Sequence, residues 1–186
     1  EKSRGYYKFF DRIYLISASL QSLPMDKLNL NEERVFTKYS DEIMKNIIKT
    51  EQEDEEANNV LIILDDVIKS LKNNKDAEYL TKCILNRRHI LNNKDKPGSG
   101  GLSIWIMSQK FNALPLIFRI NASSVYLLRS VLNNQKEKSC IIDELMCDLS
   151  KEEQDQVFKM AFKKKYSNLL ILNKQPKKKR YYSNFN

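Results

Sequence analysis

Apolar residues fall in two rhythms along this chain. Continuous runs at RIYLIS (Arg12 to Ser17), VLIIL (Val60 to Leu64), LSIWIM (Leu102 to Met107), SVYLLRS (Ser124 to Ser130) and NLLILN (Asn168 to Asn173) predict strands, the middle ones buried on both faces. Between them the spacing lengthens to a helical period. Ile43, Met44, Ile47 and Ile48 share one face of a helix predicted over Ser40 to Glu56, with Ser40 as N-cap. Val67, Ile68 and Leu71 continue at that spacing. A second helix is predicted from Asp76 to Leu91, turning Leu80, Cys83, Ile84 and Leu91 inward. Asn92 to Gly101 reads as a loop of turn formers. Pro115 opens a short helix, and Ser150-Lys-Glu-Glu153 is a capping box for a helix carrying Val157, Phe158 and Ala161.

Strands that alternate with helices predict an α/β fold, a mostly parallel sheet flanked by helices and joined by right-handed crossovers. The strands at 12–17, 60–64, 102–107 and 125–130 are expected to run parallel. No internal repeat divides the chain, so a single domain is expected over 1–175, followed by a basic tail over 176–186.

Composition narrows the picture. The 186 residues are 41% hydrophobic and 30% charged, ordinary for a globular protein with a real core. No apolar run approaches the roughly 18 residues a membrane span needs, and EKSRGYYKFF is no signal peptide. Cys83, Cys140 and Cys147 form no C-x-x-C pair, which favours reduced thiols over disulfides or zinc. The net charge of +8 is uneven: Met160 to Asn186 holds eight Lys or Arg and no acid, while the remainder carries 24 of each sign. Such a localised excess fits a polyanion partner or a solubilising end.

The chemistry gathers at strand ends. The run VLIIL stops at Asp65 and Asp66, and LSIWIM stops at Ser108 and Gln109. Ligands of open α/β sheets collect beyond the carboxyl ends of strands, so two acids there either bind metal and substrate or simply begin a solvated turn. On neighbouring parallel strands, both ends would share one edge. Nucleotide hydrolysis uses such a set: Asp65 in a Mg²⁺ shell, Asp66 polarising water, and the neutral amide of Gln109 orienting the nucleophile against a terminal phosphate.

Together FFDRIYLIS, VLIILDD, LNRRHI, LSIWIMSQKFNALPLIFRINAS and KKKRYYSNFN resemble, in order, the DNA-packaging ATPases of poxviruses and giant viruses, within the FtsK/HerA group of P-loop motors. The resemblance runs from Lys8 onward. It implies a P-loop NTPase-like fold, ATP and Mg²⁺ as cofactors, double-stranded DNA as cargo, a homo-oligomeric ring and capsid or portal-vertex proteins as partners. It also implies a cytoplasmic virus assembly site in the infected cell, or the virion. Asp65 and Asp66 match the Walker B pair, although Glu usually fills the second place, and Gln109 matches the polar sensor. Arg87 and Arg88 are the candidate arginine fingers, with Arg119 in reserve; either of the first two equally suits a helix C-terminus stabilised by cations. His89 is expected to be structural.

The chain departs from that family at the Walker A loop, G-x-x-x-x-G-K-[ST]. Its glycines, Gly5, Gly98, Gly100 and Gly101, do not precede a lysine. In the family this loop follows a strand beside the glutamine-bearing one, upstream of the segment matching RIYLIS. The expectation is a chain that begins after Walker A, lacks that strand and hydrolyses no ATP alone. Two other readings remain open. A metal-dependent nuclease could use Asp65 and Asp66, with Asp143 and Glu144 as further acids. A non-enzymatic DNA-binding module could use the basic tail with Tyr181, Tyr182 and Phe185.

Overall fold

The structure is a computed structural model that describes residues 9–28, 30–54, 59–71, 77–87, 89–91 and 101–183, the side chains of Met25 and Lys27 aside. Arg88, Phe185 and most of the predicted 92–101 loop lie outside the described residues. The chain divides into two compact units, 1–109 and 110–186, which differs from the expected division at 175.

The first unit is built on a parallel sheet. Strands β1 (Arg12–Ser17), β2 (Val35–Phe36), β3 (Asn59–Asp65) and β4 (Gly101–Met107) stand in the order β2-β1-β3-β4. Every pairing is parallel. A one-turn helix α1 (Met25–Leu28) lies between β1 and β2 in sequence. Helix α2 (Asp41–Glu53) precedes β3, and α3 (Ile68–Leu71) and α4 (Glu78–Asn86) follow it. The Ser40 hydroxyl accepts the Ile43 N–H, the N-cap its sequence position predicts.

Burial explains which strand is central. Val60, Leu61, Ile62 and Leu64 of β3 are buried on both faces, as a continuous apolar run requires. β4 is different: Trp105 and Met107 are 41% and 45% exposed, and among the described residues it pairs with β3 alone. Met44, Ile47 and Ile48 of α2 and Leu80, Cys83 and Ile84 of α4 complete the core. α2 is fastened to the start of β1 by a buried carboxylate. Glu51 accepts from the Tyr14 hydroxyl at 2.5 Å and from Arg12 at 3.3 Å, while Arg12 also pairs with Asp54. Burial and this bond push the Tyr14 hydroxyl up to about 12. Burial likewise pushes the Cys83 thiol up to about 12, so it is inert packing.

The second unit begins with α5 (Leu116–Asn121), where Pro115 is the N-cap rather than the first helical residue. It then forms an antiparallel sheet of β5 (Ser124–Leu128), β6 (Asn168–Leu172) and β7 (Tyr181–Ser183), with α6 (Gln135–Leu145) and α7 (Lys151–Ala161) between β5 and β6 in sequence. Two expectations are thereby corrected. The 125–130 strand does not join the parallel sheet; β5 pairs antiparallel with β6. The basic end is not a simple tail, because residues 181–183 form a strand against β6. The physical reason lies in β5, whose Tyr126 and Leu128 are 43% and 58% exposed beside buried Leu127. That is the alternation of a half-covered antiparallel strand. The capping box forms as predicted: Ser150 Oγ accepts the Glu153 N–H, and Glu153 accepts the Ser150 N–H. Phe158 and Phe162 stack at 6.0 Å in the core beneath α7.

Candidate functional site at the carboxyl edge of the parallel sheet

Ser17, Asp65 and Met107 occupy one row of the sheet, each the last residue of its strand. Parallel pairing therefore brings the three strand ends to one edge. The Ser17 hydroxyl, fully buried, donates to Asp65 Oδ2 at 2.7 Å. The Ser19 hydroxyl donates to the same oxygen at 3.2 Å, and the Ser19 N–H donates to Ser17 Oγ at 3.1 Å. The Ala18 N–H donates to the Asp65 carbonyl at 3.3 Å, which carries the β1–β3 ladder past the strand ends. Among the described residues, the bonds to the Asp65 carboxylate fall on Oδ2. The partly buried group is thus oriented through one oxygen.

Asp66 follows in the left-handed region, at φ 53°, and is exposed. Aspartate tolerates that conformation better than most side chains, because its short polar group bonds locally. Here it turns the chain sharply off the sheet, and the next residue, Val67, is buried again. Gln109 lies two residues beyond β4 and is exposed at the same edge. The structure thus gathers Asp65, Asp66 and Gln109 at the carboxyl ends of parallel neighbours.

The candidate arginines lie elsewhere. Arg87 closes α4, with its guanidinium on the Ile84 carbonyl at 3.2 Å, the bond expected of a cation at a helix C-terminus. That helix end faces the amino edge of the sheet. Gln52, beside the Glu51 that holds the start of β1, donates to the Ile90 carbonyl at 2.8 Å. Within one subunit, Arg87 is therefore on the far side of the sheet from Asp65. Arg119 belongs to the second unit, where it bonds Glu144, the Leu114 carbonyl at 3.0 Å and Cys140 Sγ at 3.1 Å and covers the Phe111 ring at 5.5 Å. Its donors are committed within that unit. His89 is exposed, and its N–H closes the turn on Asn86.

Ser17 and Ser19 are not among the candidates that sequence reasoning selects. Their signal was present: IS-A-S at the end of β1 repeats the apolar-to-polar break of LDD and MSQ. Beyond them opens a cleft of about 400 Å³, lined by Ser17 to Ser22 and Thr37, within the size range of small-molecule sites.

Asp65 is the carboxylate that the strand ends hold in place. Mg²⁺ takes one or two carboxylates and keeps several waters, which a single oriented Asp65 beside hydroxyls can accommodate. Among the described residues no three or more His, Cys, Asp or Glu are grouped so that they could hold a metal ion. Glu144, one of the further acids of the nuclease reading, is paired with Arg119. Gly101 is the described glycine, and a Cβ there would meet only Asn59 Oδ1 at 3.8 Å, so it forms no close cradle for phosphate. No helix among the described residues is long and apolar enough to cross a membrane. No sequence-family profile, curated protein or solved structure compared with this chain matches it.

Proposed function

We propose that this chain is the acid- and sensor-bearing part of a P-loop-type ATPase that translocates double-stranded DNA, in the manner of the viral packaging motors its motifs resemble. The observation that supports the reading is the shared carboxyl edge, where Asp65, Asp66 and Gln109 end parallel neighbours. Asp65, oriented by Ser17 and Ser19, is the residue to hold Mg²⁺. Asp66 is the residue to accept a proton from water, and the Gln109 amide the one to orient it. Mg-ATP, when bound, supplies the phosphoryl group and the charge neutralisation that these residues cannot.

The remaining parts of the motor fall into place by the same reading. β4 ends the sheet order, and its outer hydrogen-bonding edge is where a further strand of such a motor, bearing a phosphate-cradling loop, would pair. Arg87 acts on a neighbouring subunit's nucleotide in a homo-oligomeric ring, since its own subunit's acids are out of reach. Arg88 is the alternative for that role. Capsid or portal-vertex partners and an assembly-site or virion location follow from the same resemblance.

The test is ATP hydrolysis by the protein, compared with its Asp65→Asn, Asp66→Asn and Gln109→Ala variants. The reading expects each to lose at least about 100-fold in kcat, in line with removal of a group that acts in the transition state. Unchanged rates in Asp66→Asn would remove the motor assignment. A second reading, a non-enzymatic DNA-binding module, is favoured by the charge of the second unit; it expects DNA binding with no hydrolysis in any form of the protein.

A further inference from the structure

The division of the fold is also a division of charge. Residues 1–109 contain seventeen Lys or Arg and seventeen Asp or Glu, so the first unit is neutral. Residues 110–186 contain fifteen against seven, which places the whole excess of +8 in the second unit. There it concentrates at the two ends of α7. Lys163, Lys164 and Lys165 follow the helix and are exposed. Lys177, Lys178 and Lys179 stand on the turn between β6 and β7, which Lys177 ties to Glu153 in the first turn of α7 at 2.8 Å.

That turn is built rather than loose. The Leu172 N–H donates to the Arg180 carbonyl at 2.8 Å, and the Lys179 N–H donates to the Pro176 carbonyl at 2.7 Å. Arg180 donates to the Gln175 carbonyl at 3.1 Å and to Asp148 at 2.9 Å. A framework of this kind fixes the backbone that carries Lys178 and Lys179, and both are exposed. Tyr181, a base-stacking candidate by sequence, is used inward instead. Its hydroxyl donates to the Leu145 carbonyl at 3.2 Å and to Asp148 at 2.9 Å, and its ring packs on the core. The exposed ring near the lysines is Tyr166, with Lys165 Nζ 5.3 Å from its centre. A run of successive stacking aromatics, as single-strand binders use, is not formed by these residues.

We infer that the two lysine clusters flanking α7 form a clamp for the phosphate backbone of duplex DNA, and that this clamp, not the Tyr181 ring, is the protein's DNA contact. The eleven residues of α7 span about 16 Å. A duplex presents roughly one phosphate charge per 1.7 Å of axis, so both clusters can meet one duplex within about ten charges. The exposed part of α7 between them carries acidic Glu152 and Asp155 together with Lys151 and Lys159, so it adds no net charge to the two clusters. The clamp therefore reads charge and not sequence. Duplex DNA as the cargo rests on the motor reading; the surface itself rests on the charge and geometry of the second unit.

The test is fluorescence anisotropy of a labelled 30-base-pair duplex with the full chain, without nucleotide, over a series of salt concentrations. Lys178→Ala/Lys179→Ala and Lys163→Ala/Lys164→Ala/Lys165→Ala each weaken binding at least tenfold near 0.1 M salt. The first pair lowers the slope of log affinity against log salt by about 2. Lys177 is left in place because it anchors Glu153. Lys45→Ala/Lys82→Ala in the first unit leaves affinity unchanged, and circular dichroism verifies that each variant is folded. Tighter binding to the single strand, tighter binding to vesicles of 30% phosphatidylserine, or full affinity in both lysine variants would overturn the clamp. None of these outcomes depends on Asp65 or on ATP hydrolysis, so the clamp and the nucleotide site fail separately.

Discussion

Asp65 and Asp66 are adjacent in sequence and opposite in circumstance. Asp65 ends a strand, and its carboxylate accepts two serine hydroxyls; Asp66 is exposed and sits at φ 53°. A left-handed non-glycine residue costs about 1 kcal/mol. Asp66→Gly should thus leave stability unchanged or raise it by up to about 1 kcal/mol, while Asp66→Val, which suits that region poorly, should lose at least as much. Chemical denaturation measures both. A stable Asp66→Gly protein without the proposed ATP hydrolysis would separate the role of the side chain from that of the turn. Ser17→Ala removes the fully buried donor to Asp65 and should cost about 1 kcal/mol. A doublet of acids is easy to read from sequence, but the hydroxyls that orient one of them are not. Ser17, at the end of β1, and Ser19, just beyond it, lie 48 and 46 residues before Asp65, and only the register brings them together.

At the scale of elements, the parallel strands were legible because their apolar runs are nearly unbroken and their polar breaks coincide. The helices were legible from N-caps and period, as with Ser40 and the Ser150 capping box. What an apolar run cannot specify is its neighbour. β5 reads like β4 by composition, yet it pairs antiparallel in the second unit, and β7 hides in a segment dominated by lysines. β2 is two residues long, too short to leave a pattern. The contrast between β3 and β4 is testable. Leu64→Ala in the fully buried centre should cost about 3 kcal/mol, whereas Met107→Ala on the exposed edge should stay within about 0.5 kcal/mol. Equal losses in thermal denaturation would mean that the edge of β4 is covered in solution.

For the whole molecule, both units keep acidic protons buried, and this sets a shared response to alkali. Burial raises the Cys83 thiol from 9.0 and the Tyr14 and Tyr181 hydroxyls from 10.0, each to about 12. A folded pKa above the unfolded one contributes stability that is complete below the unfolded value and disappears as pH climbs through the folded value. Stability should accordingly hold to about pH 9 and decline toward pH 12. Tyr14→Phe should lower stability at pH 8 through the lost Glu51 bond but flatten the decline above pH 10. The separation of charge between units was legible in the sequence only once the boundary was known. Counting by halves around residue 109 turns a basic tail into a basic unit with a neutral companion.

The proposed convergence of Asp65, Asp66 and Gln109 on one metal ligand is tested most directly by paramagnetic broadening in a ¹⁵N-labelled sample titrated with Mn²⁺. Selective loss of the amide signals at 17–19, 65–66 and 108–109, abolished by Asp65→Asn, is the predicted result. Broadening centred on the acidic stretch at the end of α2, or an unchanged pattern in the variant, would contradict it.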